Sequence, residues 1–152
     1  MEHLGDALIV GIGATLVMDA WGVLRRPLLG LARLDYALLG RWFGHMAAGR
    51  FRHQAIAAAT PVRGERLIGW TGHYLIGTAF AALLLAIWGP AWLERPTLGP
   101  ALMVGIGTAA APILVMQPAM GAARTARPGA ARLHAILTHT IYGLGLYLAG
   151  WL

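Results

Sequence analysis

The chain contains no cysteine. That absence removes disulfides, thiolate metal sites and iron–sulfur ligation. Lysine is missing too, so all twelve basic residues are arginines, and acidic residues number only six. Charged residues make up 12% of the chain against 58% hydrophobic ones, which leaves little polar surface for a soluble fold of 152 residues. Several catalytic signatures are also absent: no Gly-x-Ser-x-Gly, no His-Glu-x-x-His and no phosphate loop. The pairs Gly11-Ile12-Gly13 and Gly105-Ile106-Gly107 lack the third glycine of a dinucleotide fingerprint and lie inside apolar runs, so they read as helix-packing positions.

What is present is four apolar runs, roughly 7–24, 67–88, 98–121 and 133–152. Each reaches or approaches the about 20 residues that an α-helix needs to cross the hydrocarbon core. The expected architecture is all-α: a four-transmembrane-helix bundle forming one domain over 1–152. The net charge of +6 invites a nucleic-acid partner, but its distribution argues against one. Eleven of the twelve arginines fall in two connections, Arg25 to Arg66 and Arg124 to Arg132, and only Arg95 lies on the other side. This is the positive-inside pattern, which places the basic connections in the cytoplasm and both termini outside it. The basic face then meets anionic lipid headgroups, and no nucleic acid is needed. Glu2 and Asp6 stand where a secretory signal carries basic residues, so the first run is expected to remain a span.

Helix ends are readable. Arg25-Arg26-Pro27 is expected to stop the first span and Trp88-Gly89-Pro90 the second, with Trp92 in the interfacial aromatic belt. Pro112 should kink the third. Arg127-Pro128-Gly129 reads as a turn, and Tyr142, Tyr147 and Trp151 line the last helix toward the outer interface. Between the first two spans, Leu38, Leu39, Trp42, His45, Met46, Gly49, His53 and Ile56 recur at spacings of three, four and seven. That spacing predicts an amphipathic helix over 36–60, on the cytoplasmic surface or packed under the bundle.

An internal repeat is visible. Val10-Gly11-Ile12-Gly13 recurs as Val104-Gly105-Ile106-Gly107, and Leu16-Val17-Met18-Asp19 as Leu114-Val115-Met116-Gln117. His73-x-x-x-Gly77 matches His139-x-x-x-Gly143, and the second copy holds four extra residues between its first two blocks. The pattern suggests a duplicated helical hairpin, with the two copies related by an axis along the membrane normal.

Each of the four runs carries one notable polar residue well inside it, Asp19, His73, Gln117 and His139 in turn. A charge or imidazole inside the membrane is costly and by default marks function. From their distances to the helix ends, all four sit roughly 6–12 Å from the cytoplasmic boundary at 1.5 Å per residue. Asp19, His73 and His139 as ligands, with Gln117 behind them, would suit iron, copper or zinc, and the two histidines would suit a haem. The same residues would equally serve as a relay in a proton-coupled transporter, for which four helices are few and a homodimer is expected. They would also serve as plain interhelical hydrogen bonds, Asp19 with His73 and Gln117 with His139, worth on average about 0.6 kcal/mol, in a structural or accessory subunit. The sequence leaves these open, and with them whether the protein is an enzyme. His45 and His53, about 80° apart around one helix, are secondary candidates that read first as interfacial residues. Glu65, between Arg63 and Arg66, reads first as a surface ion pair.

The segment Gly40-Arg41-Trp42-x-Gly44-His45-Met46-x-x-Gly49-Arg50-Phe51-x-His53 resembles a family of small bacterial membrane proteins, domain of unknown function 2938. The likeness continues through Gly69-Trp70-x-x-His73-Tyr74, Gln117-Pro118-Ala119-Met120-Gly121 and Thr138-His139-x-x-Tyr142-Gly143. It covers nearly the whole chain and implies a single-domain protein of the bacterial inner membrane, with no activity or site residues to carry over.

Overall fold

The computed structural model describes residues 3–29, 34–121 and 128–152, and these are helical with no strand among them. The elements are α1 (Leu4–Leu29), α2 (Tyr36–Ala47), α3 (Glu65–Trp88), α4 (Leu98–Thr108), α5 (Gln117–Met120) and α6 (Pro128–Ala149). Among the described residues, three runs are long and apolar enough to cross a membrane: Leu4–Arg25, Glu65–Trp88 and Leu98–Met120. The fourth expected span, α6, matches them in length at 22 residues but not in composition, because Arg132, His134 and His139 lie within it.

α6 packs most extensively against α1 and then α4, while α1 also packs on α3. The shared core is built from small and medium side chains. Ala14, Ala81 and Ala101 are fully buried, and Leu84, Leu146 and Tyr142 fill the space between them. Two glycines of the repeat, Gly11 and Gly105, sit at close helix crossings. A Cβ on Gly11 would run into the backbone of Thr78, and one on Gly105 into that of Gly143. Small residues at such points let helix backbones meet closely.

Several helix ends differ from expectation. α1 continues through Pro27 to Leu29. Proline there removes the N–H that would bond the carbonyl four residues earlier, and only two further residues continue the helix. Pro128 and Gly129 open α6 instead of forming a turn, since proline suits the first helical position. Arg33, Arg124 and Arg127 lie outside the described residues. Near Pro112 the third run changes to a π-helical stretch, Ala111–Met116, in which the Gln117 N–H bonds the Pro112 carbonyl. The expected kink thus takes the form of a widened turn that re-satisfies the freed backbone groups.

The 36–60 segment is not one helix. Asp35 caps α2 by accepting the Ala37 N–H at 3.0 Å, and Gly49, at φ 77°, follows its end. Beyond it the chain is irregular apart from a single 3₁₀ turn at Ile56–Ala58. The apolar stripe still forms one cluster, because Ile56 folds back onto Leu39 and Trp42. α2 is docked against the first half of α3 and runs antiparallel to it. A Cβ on Gly40 would collide with the Glu65 carbonyl, and one on Gly69 with the Tyr36 carbonyl.

Two aromatic residues placed at the outer interface are instead buried. Trp92 is 6% exposed and lies against Gly150. Tyr142 is 1% exposed and donates its hydroxyl to the Gly77 carbonyl at 2.6 Å, which ties α6 to α3. Tyr147 and Trp151 contact each other edge to face, and Trp151 is exposed.

Candidate functional site

Asp19 is the centre of a polar cluster. Its Oδ1 accepts the Tyr36 hydroxyl at 3.2 Å and lies 3.0 Å from His73 Nε2. Its Oδ2 accepts the Tyr74 hydroxyl at 2.9 Å. Asp19 comes from α1, and His73 and Tyr74 are neighbours on α3. Tyr36 is the first residue of α2, carried to the depth of His73 by the antiparallel docking of that helix. Its ring stacks on His73 with centroids 4.1 Å apart and planes 24° from parallel. Trp70 closes over Tyr36 at 4.6 Å. Burial, and then the adjacent Asp19 carboxylate, push the Tyr36 phenol far above its ordinary pKa, so it remains a hydrogen-bond donor.

A half-open cleft of about 110 Å³ adjoins this cluster, with Asp19, Arg25, Tyr36, Trp70 and Thr138 among its walls. Arg25 is 3% exposed. A carboxylate, a guanidinium and two aromatic rings therefore meet in one recess where α1, α2, α3 and α6 come together.

The other expected members of the polar layer do not join Asp19 and His73. His139 Nδ1 lies 3.0 Å from Thr108 Oγ1, and that hydroxyl donates to the Gly105 carbonyl at 2.8 Å. Gln117 reaches the Ala131 carbonyl at 3.5 Å, not His139. A π-helical stretch, Ala111–Met116, directly precedes Gln117 and changes the helical register in which its side chain leaves the helix. Among the described residues no three His, Asp or Glu side chains come together as a metal site requires. The expected ligand set of Asp19, His73 and His139 with Gln117 is thus spread over separate contacts.

The secondary candidates also have specific places. His45 and His53 do not share a helix, because α2 ends before His53. Their rings nevertheless meet edge to face with centroids 4.9 Å apart. His45 Nε2 lies 2.9 Å from the Thr60 carbonyl. Both ring nitrogens of His53 are buried without a hydrogen-bond partner among the described residues, while its backbone N–H donates to the Ala119 carbonyl at 2.7 Å. Burial first, then His45 and Arg50, lower the His53 pKa. Glu65 pairs with Arg41 rather than with Arg63 or Arg66. Arg41 donates Nε and Nη2 to its two carboxylate oxygens, each at 2.8 Å, and Nη1 to the Ala57 and Ala59 carbonyls at 3.0 and 3.1 Å. The pair is a clamp holding the 56–59 turn, α2 and the start of α3 together.

Tyr36, Tyr74, Trp70, Arg25 and Thr108 are site residues that sequence reasoning did not single out. Tyr74 carried a signal, since a phenol next to His73 within an apolar run needs an acceptor. Tyr36 carried none, because its contact spans 17 residues of sequence.

A family model described as Protein of unknown function (DUF2938) matches residues 8–152, which include every residue of the Asp19 cluster. The chain belongs to this family. No curated protein and no solved structure matches the chain. DUF2938 thus supplies kinship without an activity, and the chemistry rests on the residues themselves.

Proposed function

We propose that this DUF2938 chain is a multi-pass protein of the bacterial inner membrane that binds a small polar ligand in the cleft beside Asp19. The observation that carries the reading is the environment of that carboxylate: three donors from α2 and α3 at the wall of an open recess. A structural interhelical bond needs one donor. Three donors around one carboxylate hold it in a fixed orientation, as a binding group requires. In this reading α6 is the fourth span, both termini are periplasmic and the arginine-rich connections meet anionic headgroups. Large apolar side chains exposed along the helices, such as Leu67, Leu75, Met103 and Leu114, support burial in lipid. Matched glycines at the α1–α3 and α4–α6 crossings support a duplicated hairpin.

The binding test is a screen of small ionic solutes for thermal stabilisation of the full chain in mild detergent, run on wild type and Asp19→Asn. A solute that stabilises wild type alone is the expected result. Stabilisation by none would sink the reading and leave the structural-subunit role. The topology test exploits the missing cysteine: single cysteines placed at Arg52 and Arg95 should be shielded from, and labelled by, an impermeant maleimide in intact cells, respectively. Labelling of both or the reverse pattern would refute the orientation.

A transporter sharing the same site is the second reading. The π-helical stretch at Ala111–Met116 favours it, because such turns shift register at low cost and recur at functional sites. Asp19-dependent solute flux in proteoliposomes is its test.

A further inference from the structure

We propose that His45 and His53 hold a copper(I) ion where α2 meets the end of the third span, with methionine thioethers completing its surround. This site is separate from the Asp19 cleft and does not depend on it. The two imidazoles come from α2 and from the connection after it, yet their rings meet with centroids 4.9 Å apart and planes at 77°. Each is placed by a backbone bond. His45 Nε2 lies 2.9 Å from the Thr60 carbonyl. A carbonyl only accepts, so Nε2 carries the proton and in the neutral ring Nδ1 keeps its lone pair. Metal-bound histidines are commonly oriented in this way, through the other ring nitrogen. His53 is fixed through its main chain, whose N–H donates to the Ala119 carbonyl at 2.7 Å. Just upstream, Trp42 Nε1 donates to the Phe51 carbonyl at 3.0 Å.

The unfilled capacity lies on His53. Both its ring nitrogens are buried with no hydrogen-bond partner among the described residues. A neutral imidazole so placed leaves a donor and an acceptor unmatched, a costly arrangement that a bound ion resolves at the acceptor. The neighbourhood is rich in soft sulfur. Of the six methionines in the chain, Met46, Met116 and Met120 all pack on the Leu39–Trp42–Ile56 cluster. His45 stands one turn beyond Trp42 on α2, and His53 is bonded to the residue before Met120. Donor type selects the metal. Thioethers favour copper(I), and imidazole suits copper as well. Zinc needs a fuller set of histidine or carboxylate ligands, and among the described residues no such third group joins the pair. Glu65 is committed to Arg41. The charge of Arg50 reaches His53 and opposes a divalent ion more than a monovalent one. Copper enters already reduced, and binding changes no oxidation state.

The test offers copper(I), kept reduced with ascorbate, to the full chain in mild detergent in competition with bathocuproine disulfonate. Wild type is expected to withhold a stoichiometric amount. His45→Gln and His53→Leu should each bind at least about tenfold more weakly, a change of about 1.4 kcal/mol. His53→Leu removes only unpaired ring nitrogens, so it should fold, and circular dichroism checks that it does. His3→Ala and His134→Ala, outside the pair, should bind as wild type does. Copper-edge X-ray absorption of the wild type needs no variant, and imidazole with thioether scattering is the expected result. Copper withheld equally by wild type and both pair variants, or a shell of oxygen alone, would overturn the inference. So would zinc binding to the same pair as tightly in parallel dialysis, because the donors would then not be selecting a soft ion.

Discussion

Tyr36 lies flat on His73 and at the same time donates its hydroxyl to Asp19, the residue that His73 also faces. One side chain from the short helix α2 therefore locks both members of the α1–α3 pair. This makes α2 part of the polar site rather than a surface attachment.

Tyr36→Phe keeps the stacked ring and removes only the donor to Asp19. It should cost about 1 kcal/mol, the usual net value of one hydrogen bond, and lower the thermal midpoint in detergent. Tyr36→Ala, which also loses the ring contact, should cost more. Equal midpoints for Phe and Ala would show that the stack contributes nothing.

The second Gly-Ile-Gly pair offers a matched test. A Cβ on Gly105 would strike the Gly143 backbone, whereas nothing lies within 4 Å of one on Gly107. Gly105→Ala should destabilise by about 1–3 kcal/mol through overpacking, and Gly107→Ala should be neutral or slightly stabilising. Denaturation of both variants in parallel reads the difference.

His53 sets a pH dependence. Its pKa is lowered in the folded state by burial, then by His45 and Arg50, from an ordinary value of 6.5. Above that value the imidazole is neutral whether folded or unfolded, so it costs nothing. As pH falls through it, the unfolded chain takes up the proton first and stability drops until the folded pKa is reached. Unfolding followed from pH 8 to pH 5 should show this loss, and His53→Leu should flatten it.

Arg41 holds the 56–59 turn against α2 and α3 through bonds to Glu65 and to backbone carbonyls. Lysine cannot reproduce the paired geometry. Arg41→Lys should therefore open the 48–64 connection to limited proteolysis while leaving helix content unchanged by circular dichroism. Unchanged cleavage would mean the clamp is dispensable.

Much of the outline was legible along the chain. Three of the apolar runs appear as membrane-length helices, Gly89 ends α3, and the pairing of Asp19 with His73 is present. The 36–60 stripe contained three residues that are buried, Leu39, Trp42 and Ile56, but assigned the wrong element, because they converge through a returning loop rather than along one helix. Helical spacing alone does not distinguish those two routes to one apolar face. Gln117 was matched to Asp19 by its neighbours in sequence, yet a π-helical stretch directly precedes it and it meets a different partner.

Composition and periodicity by themselves determined that the chain is helical and apolar, with nearly all its arginines gathered in two connections, since hydropathy and charge placement act locally. The tertiary structure alone decided which donors surround Asp19, why His139 turns to Thr108, and that a cleft with both signs of charge exists. Those outcomes depend on the register with which helices meet. That register is set by close backbone contacts at Gly40, Gly69, Gly105 and Gly143, each of which matters only because of the partner it faces.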